Sequence, residues 1–201
     1  MGKIWSRIIL WISGVPYSVH GLEKLDRDRQ YVFVSNHESG FDILLVMATL
    51  PYQLVFMAKV ELRKIPFMGW AMMLGKYIFV NRKNHRAALK SMEIAKKSLS
   101  KYPRSIVIFP EGTRSLDGKL KPFKKGGIIL GIQTNIPIVP MGIFGTFNVV
   151  KKGSFNVQPK PIHLIIGEPV DTSIYHYEDR NQVTEIVRNE VVNLRSSWMA
   201  N

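Results

Sequence analysis

His37 and Asp42, five residues apart, are the pair in this chain best suited to move a proton. Imidazole changes charge near neutral pH, and a carboxylate on its second ring nitrogen fixes the tautomer and stabilises the protonated form. Their segment, Ser35-Asn36-His37-Glu38-Ser39-Gly40-Phe41-Asp42, follows the β-like run Tyr31-Val32-Phe33-Val34 and precedes the helix-like run Ile43-Leu44-Leu45-Val46-Met47-Ala48. Residues five apart on a regular helix point about 140° away from each other. The two can pair only if His37 lies in the turn and Asp42 in the first helical turn, and Gly40 is expected to permit that turn. The nucleophile could then be a hydroxyl on the substrate instead of a protein serine. A structural role competes, because Ser39-x-x-Asp42 also fits the pattern that caps a helix N-terminus.

A second group of polar residues follows later strands. Lys59 comes just after Leu54-Val55-Phe56-Met57, Arg82 just after Tyr77-Ile78-Phe79-Val80, and Glu111 and Arg114 lie in the loop after Ser105-Ile106-Val107-Ile108-Phe109. Ligands of open α/β sheets bind outside the carboxyl ends of the strands, so these residues could converge on one crevice. Arg114 in a glycine-containing loop suits a phosphate, since its planar fork meets two oxygens at once.

The elements that must position these groups follow from hydrophobic periodicity. Residues 2–13 predict a short amphipathic helix carrying Ile4, Trp5, Ile8, Ile9, Trp11 and Ile12, with Lys3 and Arg7 among them. Tryptophan and cations on such a helix suit a membrane interface, though docking on the chain's own domain accounts for the pattern equally well. Strands are predicted at 15–20, 31–35, 54–57, 77–80, 105–109, 136–142 and 162–166. Helices are predicted after Asp42, over 85–101, from Gly126 to Thr134, and at the C-terminus, with a loop over 145–160. The C-terminal helix has an apolar stripe of Val183, Ile186, Val187, Val191, Leu194 and Trp198. Residues 65–74 are apolar and rich in methionine, which suits an acyl-chain tunnel, a lipid-dipping surface or a plain buried helix. The alternation of strands and helices predicts a single α/β domain over 15–201, a mixed central sheet flanked by helices, with residues 1–14 as a membrane-associating helix.

Composition narrows the functional classes. The 201 residues include no cysteine, which removes a disulfide framework, a thiolate nucleophile and any cysteine-based zinc site. There are 28 basic and 15 acidic residues, a net charge of +13, so the expected partner is anionic: a membrane surface, a phosphorylated substrate or a nucleic acid. No stretch approaches the ~20 consecutive apolar residues of a membrane span. The N-terminus does not read as a secretory signal.

Four blocks in order resemble the glycerophospholipid acyltransferases, specifically the 1-acyl-glycerol-3-phosphate (lysophosphatidate) acyltransferase family. They are Asn36 to Asp42; Gly75-Lys76-Tyr77-Ile78-Phe79-Val80-Asn81-Arg82; Phe109-Pro110-Glu111-Gly112-Thr113-Arg114-Ser115; and Ile136-Pro137-Ile138-Val139-Pro140-Met141-Gly142. Ala58 to Leu62 and Ile65-Pro66-Phe67-x-Gly69 also match. Family members often have an acid in place of Asn81. The resemblance covers about residues 15–170, and the C-terminal 30 residues contribute no motif.

The resemblance implies transfer of a fatty acyl group from a thioester to the 2-hydroxyl of a lysophospholipid. His37 would be the general base and Asp42 its orienting partner, with direct attack on the thioester and no acyl-enzyme. Lys59, Arg82 and Arg114 would hold the acceptor phosphate, and Glu111, Gly112 and Thr113 would shape the loop. Phe67, Trp70 and Pro140 are expected at the acyl pocket. No metal or resident cofactor is implied, since acyl-CoA or acyl carrier protein enters as co-substrate. Relatives often carry a helical pair or full spans before the first block. Here fewer than 15 residues precede the first predicted strand, so attachment is expected through one short helix, residues 65–74 and the basic surface, on the cytoplasmic face of a membrane. The competing classes are a hydrolase using water at the same pair and a basic nucleic-acid binder. The latter lacks a glycine-aromatic RNA signature or helix-turn-helix cue, so nucleic acid is not an expected partner.

Overall fold

The computed structural model describes residues 2–81, 85–102, 104–154 and 156–199. Among these residues, seven strands form one sheet: β1 (Tyr17–His20), β2 (Val32–Ser35), β3 (Leu54–Lys59), β4 (Ile78–Val80), β5 (Ser105–Ile108), β6 (Ile138–Phe144) and β7 (Ile162–Ile166). Their spatial order is β1-β7-β6-β2-β5-β3-β4. All neighbours are parallel except β6 and β7, which pair antiparallel, so the sheet is mixed as expected.

The helices are α1 (Gly2–Ile12), α2 (Phe41–Thr49), α3 (Met68–Leu74), α4 (His85–Lys101), α5 (Gly126–Thr134), α6 (Thr146–Val149) and α7 (Arg180–Met199). Strand alternation sorts the core into two layers. Phe33, Val107, Val139 and Met141 face Leu10 of α1 and Leu45 and Val46 of α2. Val32, Val34, Ile106 and Ile138 face Ala95 of α4, Ile128 of α5 and Val187 of α7. Such strands read as continuous apolar runs because both faces are covered.

Several boundaries differ from expectation. Helix α2 begins at Phe41, two residues before the apolar run, which places Asp42 in its first turn. Gly40 is not required for that turn: its φ of −65° and ψ of −24° are right-handed helical, and a Cβ there would meet nothing within 4 Å. Strand β1 starts at Tyr17 instead of 15, and β6 starts at Ile138, after Pro137. The expected loop at 145–160 contains the short helix α6. Arg82 lies outside the described residues.

Helix α1 docks on α2 through the buried Ser6 and Leu10, and Arg7 Nε donates to the Ala48 carbonyl at 3.1 Å. Ile4, Trp5, Ile8, Trp11 and Ile12 point outward, Trp5 at 64% and Trp11 at 81% exposure. Around α3, Phe67 and Trp70 are exposed with their rings 5.3 Å apart edge to face, and Leu74 is exposed as well. Met47 of α2 joins the two regions. Its Sδ lies 4.0 Å from the Tyr77 hydroxyl just beyond α3, and a Cβ on Gly2 would come within 2.3 Å of its Cε. Among the described residues, no helix is long and apolar enough to cross a membrane.

Strands β2, β5 and β3 are adjacent and run in one direction. Their carboxyl ends therefore deliver His37, the 109–115 loop and Lys59 to one edge of the sheet.

Candidate active site

The site is built on the turn leaving β2. His37 Nδ1 lies 2.7 Å from Asp42 Oδ2. An ionised carboxylate can only accept, so Nδ1 carries the proton and Nε2 presents its lone pair outward. Asp42 is fully buried, and the same Oδ2 accepts the backbone N–H groups of Glu38 at 2.7 Å and Ser39 at 2.9 Å. Three donors thus fix one oxygen. The bond from Ser39 N–H to the acid is half of a capping box. The other half is absent: the Ser39 hydroxyl donates to the Val150 carbonyl at 2.8 Å and accepts the N–H of Phe41 at 3.4 Å, not that of Asp42. Capping and catalysis are here one arrangement: the contact that starts the helix also aims the acid at His37.

The imidazole stacks on Phe109, centroids 4.1 Å apart and planes inclined by 14°. Its side chain keeps 16% exposure, enough for a reactant to approach. Glu111 ties this turn to the following loop. Its Oε1 accepts the His37 N–H at 2.7 Å and its Oε2 accepts the Lys121 N–H at 2.9 Å. Burial raises the Glu111 pKa, while those two N–H groups and the charge of His37 act in the opposite direction. Ser115 N–H donates to the His37 carbonyl at 2.8 Å, so Arg114 is anchored one residue from the backbone of the base. Gly112, at a φ of +75°, turns the loop where a side chain would be strained. Thr113 is exposed and accepts from Lys152 Nζ at 3.1 Å.

Arg114 is half-buried, and no described residue is an ion-pair or hydrogen-bond partner of its side chain. Lys59 ends β3, two strands from β2, which is about 10 Å across the sheet. It is half exposed and pairs with Glu61 at 3.4 Å. An apolar cleft of about 880 Å³ opens beside the loop, walled by Met57, Val80, Ile108, Phe109, Phe123 and Ile129. Phe109 belongs both to this wall and to the stack beneath His37. Lys124, Lys125 and Arg180 also line the cleft.

Residues 17–144 match the family model described as Acyltransferase. The chain belongs to the acyltransferase family. It is 35% identical over 191 residues to the 1-acyl-sn-glycerol-3-phosphate acyltransferase of Limnanthes douglasii, covering 95% of this chain and 67% of that protein. It is 37% identical over 171 residues to the protein of the same name from Limnanthes alba, covering 85% and 60%. The chain thus spans 60 to 67% of the length of these curated relatives. The crystal structure of the 1-acyl-sn-glycerophosphate (LPA) acyltransferase PlsC from Thermotoga maritima superposes with a TM-score of 0.81 at 32% identity, covering 96% of this chain and 78% of that one.

In this acyltransferase the residues named from sequence do not all gather at one point. His37, Asp42, Glu111, Gly112 and Arg114 come together, and Lys59 shares their sheet edge. Phe67 and Trp70 lie on the surface around α3 and do not line the cleft. Pro140 is buried within β6, paired with Val34, and its carbonyl accepts the Gly167 N–H at 2.9 Å. It too is outside the cleft walls.

Arg195, which the sequence did not single out, reaches the site through Glu38 and Asn36 of the first block. Glu38 is buried and paired with Arg195 of α7, Oε1 to Nη2 at 2.6 Å. Asn36 Nδ2 donates to the same Oε1 at 3.2 Å and to the Ile143 carbonyl at 2.9 Å. One signal could have found Arg195. Val183, Val187 and Val191 recur every four residues on the apolar face of α7, and the next position in that series is the cation Arg195.

Proposed function

We propose that this acyltransferase moves a fatty acyl group from a thioester to the 2-hydroxyl of 1-acyl-glycerol-3-phosphate, giving phosphatidic acid. The carrying observation is the His37 Nδ1–Asp42 Oδ2 contact of 2.7 Å, with the ring accessible beside the Arg114 loop. His37 Nε2 takes the hydroxyl proton as the oxygen attacks the thioester carbon. The tetrahedral intermediate collapses by breaking the carbon–sulfur bond, and the thiolate leaves with the proton returned by the imidazolium. A positioned base of this kind contributes ~10²–10⁴-fold. Asp42 keeps the ring in the competent tautomer and offsets its transient charge.

Arg114, with Lys59 at the same edge, binds the acceptor phosphate. The acyl chain of the donor occupies the cleft beyond Phe109, whose size and apolar walls suit such a ligand. The donor's carrier is coenzyme A or acyl carrier protein. Substrate arrives from an anionic membrane leaflet on which the exposed faces of α1 and α3 rest. The names of the relatives support the acceptor, and the cation-bearing loop at the base supports a phosphate on it.

The deciding experiment assays purified His37→Ala and Arg114→Ala for thiol release and phosphatidic acid formation from acyl-CoA. His37→Ala should fold normally and lose ~10²-fold or more in kcat. Arg114→Ala should raise KM for lysophosphatidate far more than for a phosphate-free monoacylglycerol. Near-wild-type turnover by His37→Ala would remove the assigned base.

A further inference from the structure

The proposed mechanism makes no use of the half-buried cation on α7. Arg195 Nη2 donates to Glu38 Oε1 at 2.6 Å and to the Gly118 carbonyl at 3.1 Å. Its hydrogen bonds to the described residues all run through Nη2, and Nε is buried with no acceptor among them. Glu38 is the residue directly after His37, and its own N–H is one of the three donors that hold Asp42 Oδ2. Gly118 belongs to the loop that carries Arg114. One guanidinium therefore touches both halves of the site, the turn with the base and the loop with the anion-binding arginine, from a helix that supplies no reacting group.

We propose that Arg195 is a positioning residue for the His37–Asp42 pair, acting through Glu38 and the Gly118 carbonyl. Glu38 faces Arg195 of α7, Asn36 of its own turn, Asp42 of α2 and Glu111 of the neighbouring loop. Two of those groups are acids, so without Arg195 an ionised Glu38 would be a buried anion among anions. An ionised Glu38 escapes by turning toward water, which drags its N–H from Asp42 and loosens the aim of that acid at His37; a neutral side chain in its place has no such drive. Misplacements of this size are costly to reactions that depend on a near-attack geometry.

This inference rests on His37 being the base, and its test has a readout independent of turnover. The Nδ1 proton of His37, held between ring and carboxylate, is expected as a downfield proton resonance, identified by its absence in His37→Ala. Arg195→Met removes the cation at similar volume, and Glu38→Gln/Arg195→Met removes both charges. Arg195→Met should lose the resonance to solvent exchange and lower kcat about 10-fold or more, with KM changed little. The double variant should recover the resonance and most of the rate. A wild-type resonance and kcat in Arg195→Met, even with a lower melting temperature, would reduce Arg195 to a structural brace and overturn the proposal. So would a double variant no better than Arg195→Met. If the wild-type protein released no thiol from any acyl-CoA, the proposed function would fail, and the resonance comparison would still decide the role of Arg195.

Discussion

Glu38 carries the clearest electrostatic signature of any residue beside the base. Burial is the largest cause and raises its pKa from 4.5 to about 7; Arg195 and Asn36 pull it down, while Asp42 and Glu111 push it further up. The folded state therefore binds this proton more tightly than the unfolded chain does. The stability it contributes is fully present below pH 4.5 and is lost as pH rises through about 7. Denaturant unfolding across that window should show wild-type stability falling with pH relative to Glu38→Gln. Parallel curves for the two proteins would refute the shift.

What the residues of the site disclosed in sequence depends on how local their contacts are. His37 and Asp42 are separated by one turn, so spacing and helix geometry stated the condition under which they could pair, while the capping pattern at Ser39 left a structural role open. Arg195 meets Glu38 across 157 positions, and no local rule links a cation near the C-terminus to an acid in the first third of the chain. Gly40 shows the opposite error. A glycine between strand and helix invites a conformational explanation, yet its backbone is ordinary helix.

At the scale of elements, Glu111 ties the loop after β5 to the turn after β2. Its two oxygens accept the N–H groups of His37, in the turn after β2, and of Lys121, further along its own loop. Glutamine offers one carbonyl oxygen for those two donors, and alanine offers none. Leaving a buried donor without an acceptor costs about 1–3 kcal/mol. Glu111→Ala should therefore unfold at lower urea than Glu111→Gln, and both below wild type, with activity falling in the same order. An Ala variant as stable and active as wild type would show that the loop holds its place by other means. The strands and helices themselves were largely legible, because Val- and Ile-rich runs buried on both faces admit few alternatives. The exposed setting of residues 65–74 was not. Apolar, methionine-rich sequence looks alike whether it faces a core, a tunnel or a bilayer, and only tertiary position separates them.

The whole molecule presents exposed apolar surface on α1 and around α3, with a net charge of +13. Basic residues near an anionic leaflet contribute about 1 kcal/mol each, and interfacial tryptophan adds apolar contact. Trp5 and Trp11 are exposed, so replacing both with alanine should leave the melting temperature unchanged and sharply reduce sedimentation with anionic vesicles. Undiminished sedimentation of the double variant would remove α1 from the lipid-facing surface.

The pairing of β1 with β7 sets an order of events during synthesis. Strand β1 forms near the start of the chain, yet its neighbour in the sheet is β7, residues 162–166. The donors and acceptors that face β7 wait until residues 162–166 have left the ribosome, and contacts so distant in sequence form late and slowly. Until then both edges of β1 are unpaired beside a tryptophan-bearing helix, where the finished sheet leaves one, and unpaired edges invite stray association. Early contact of α1 with lipid would shield that segment while the sheet is still open.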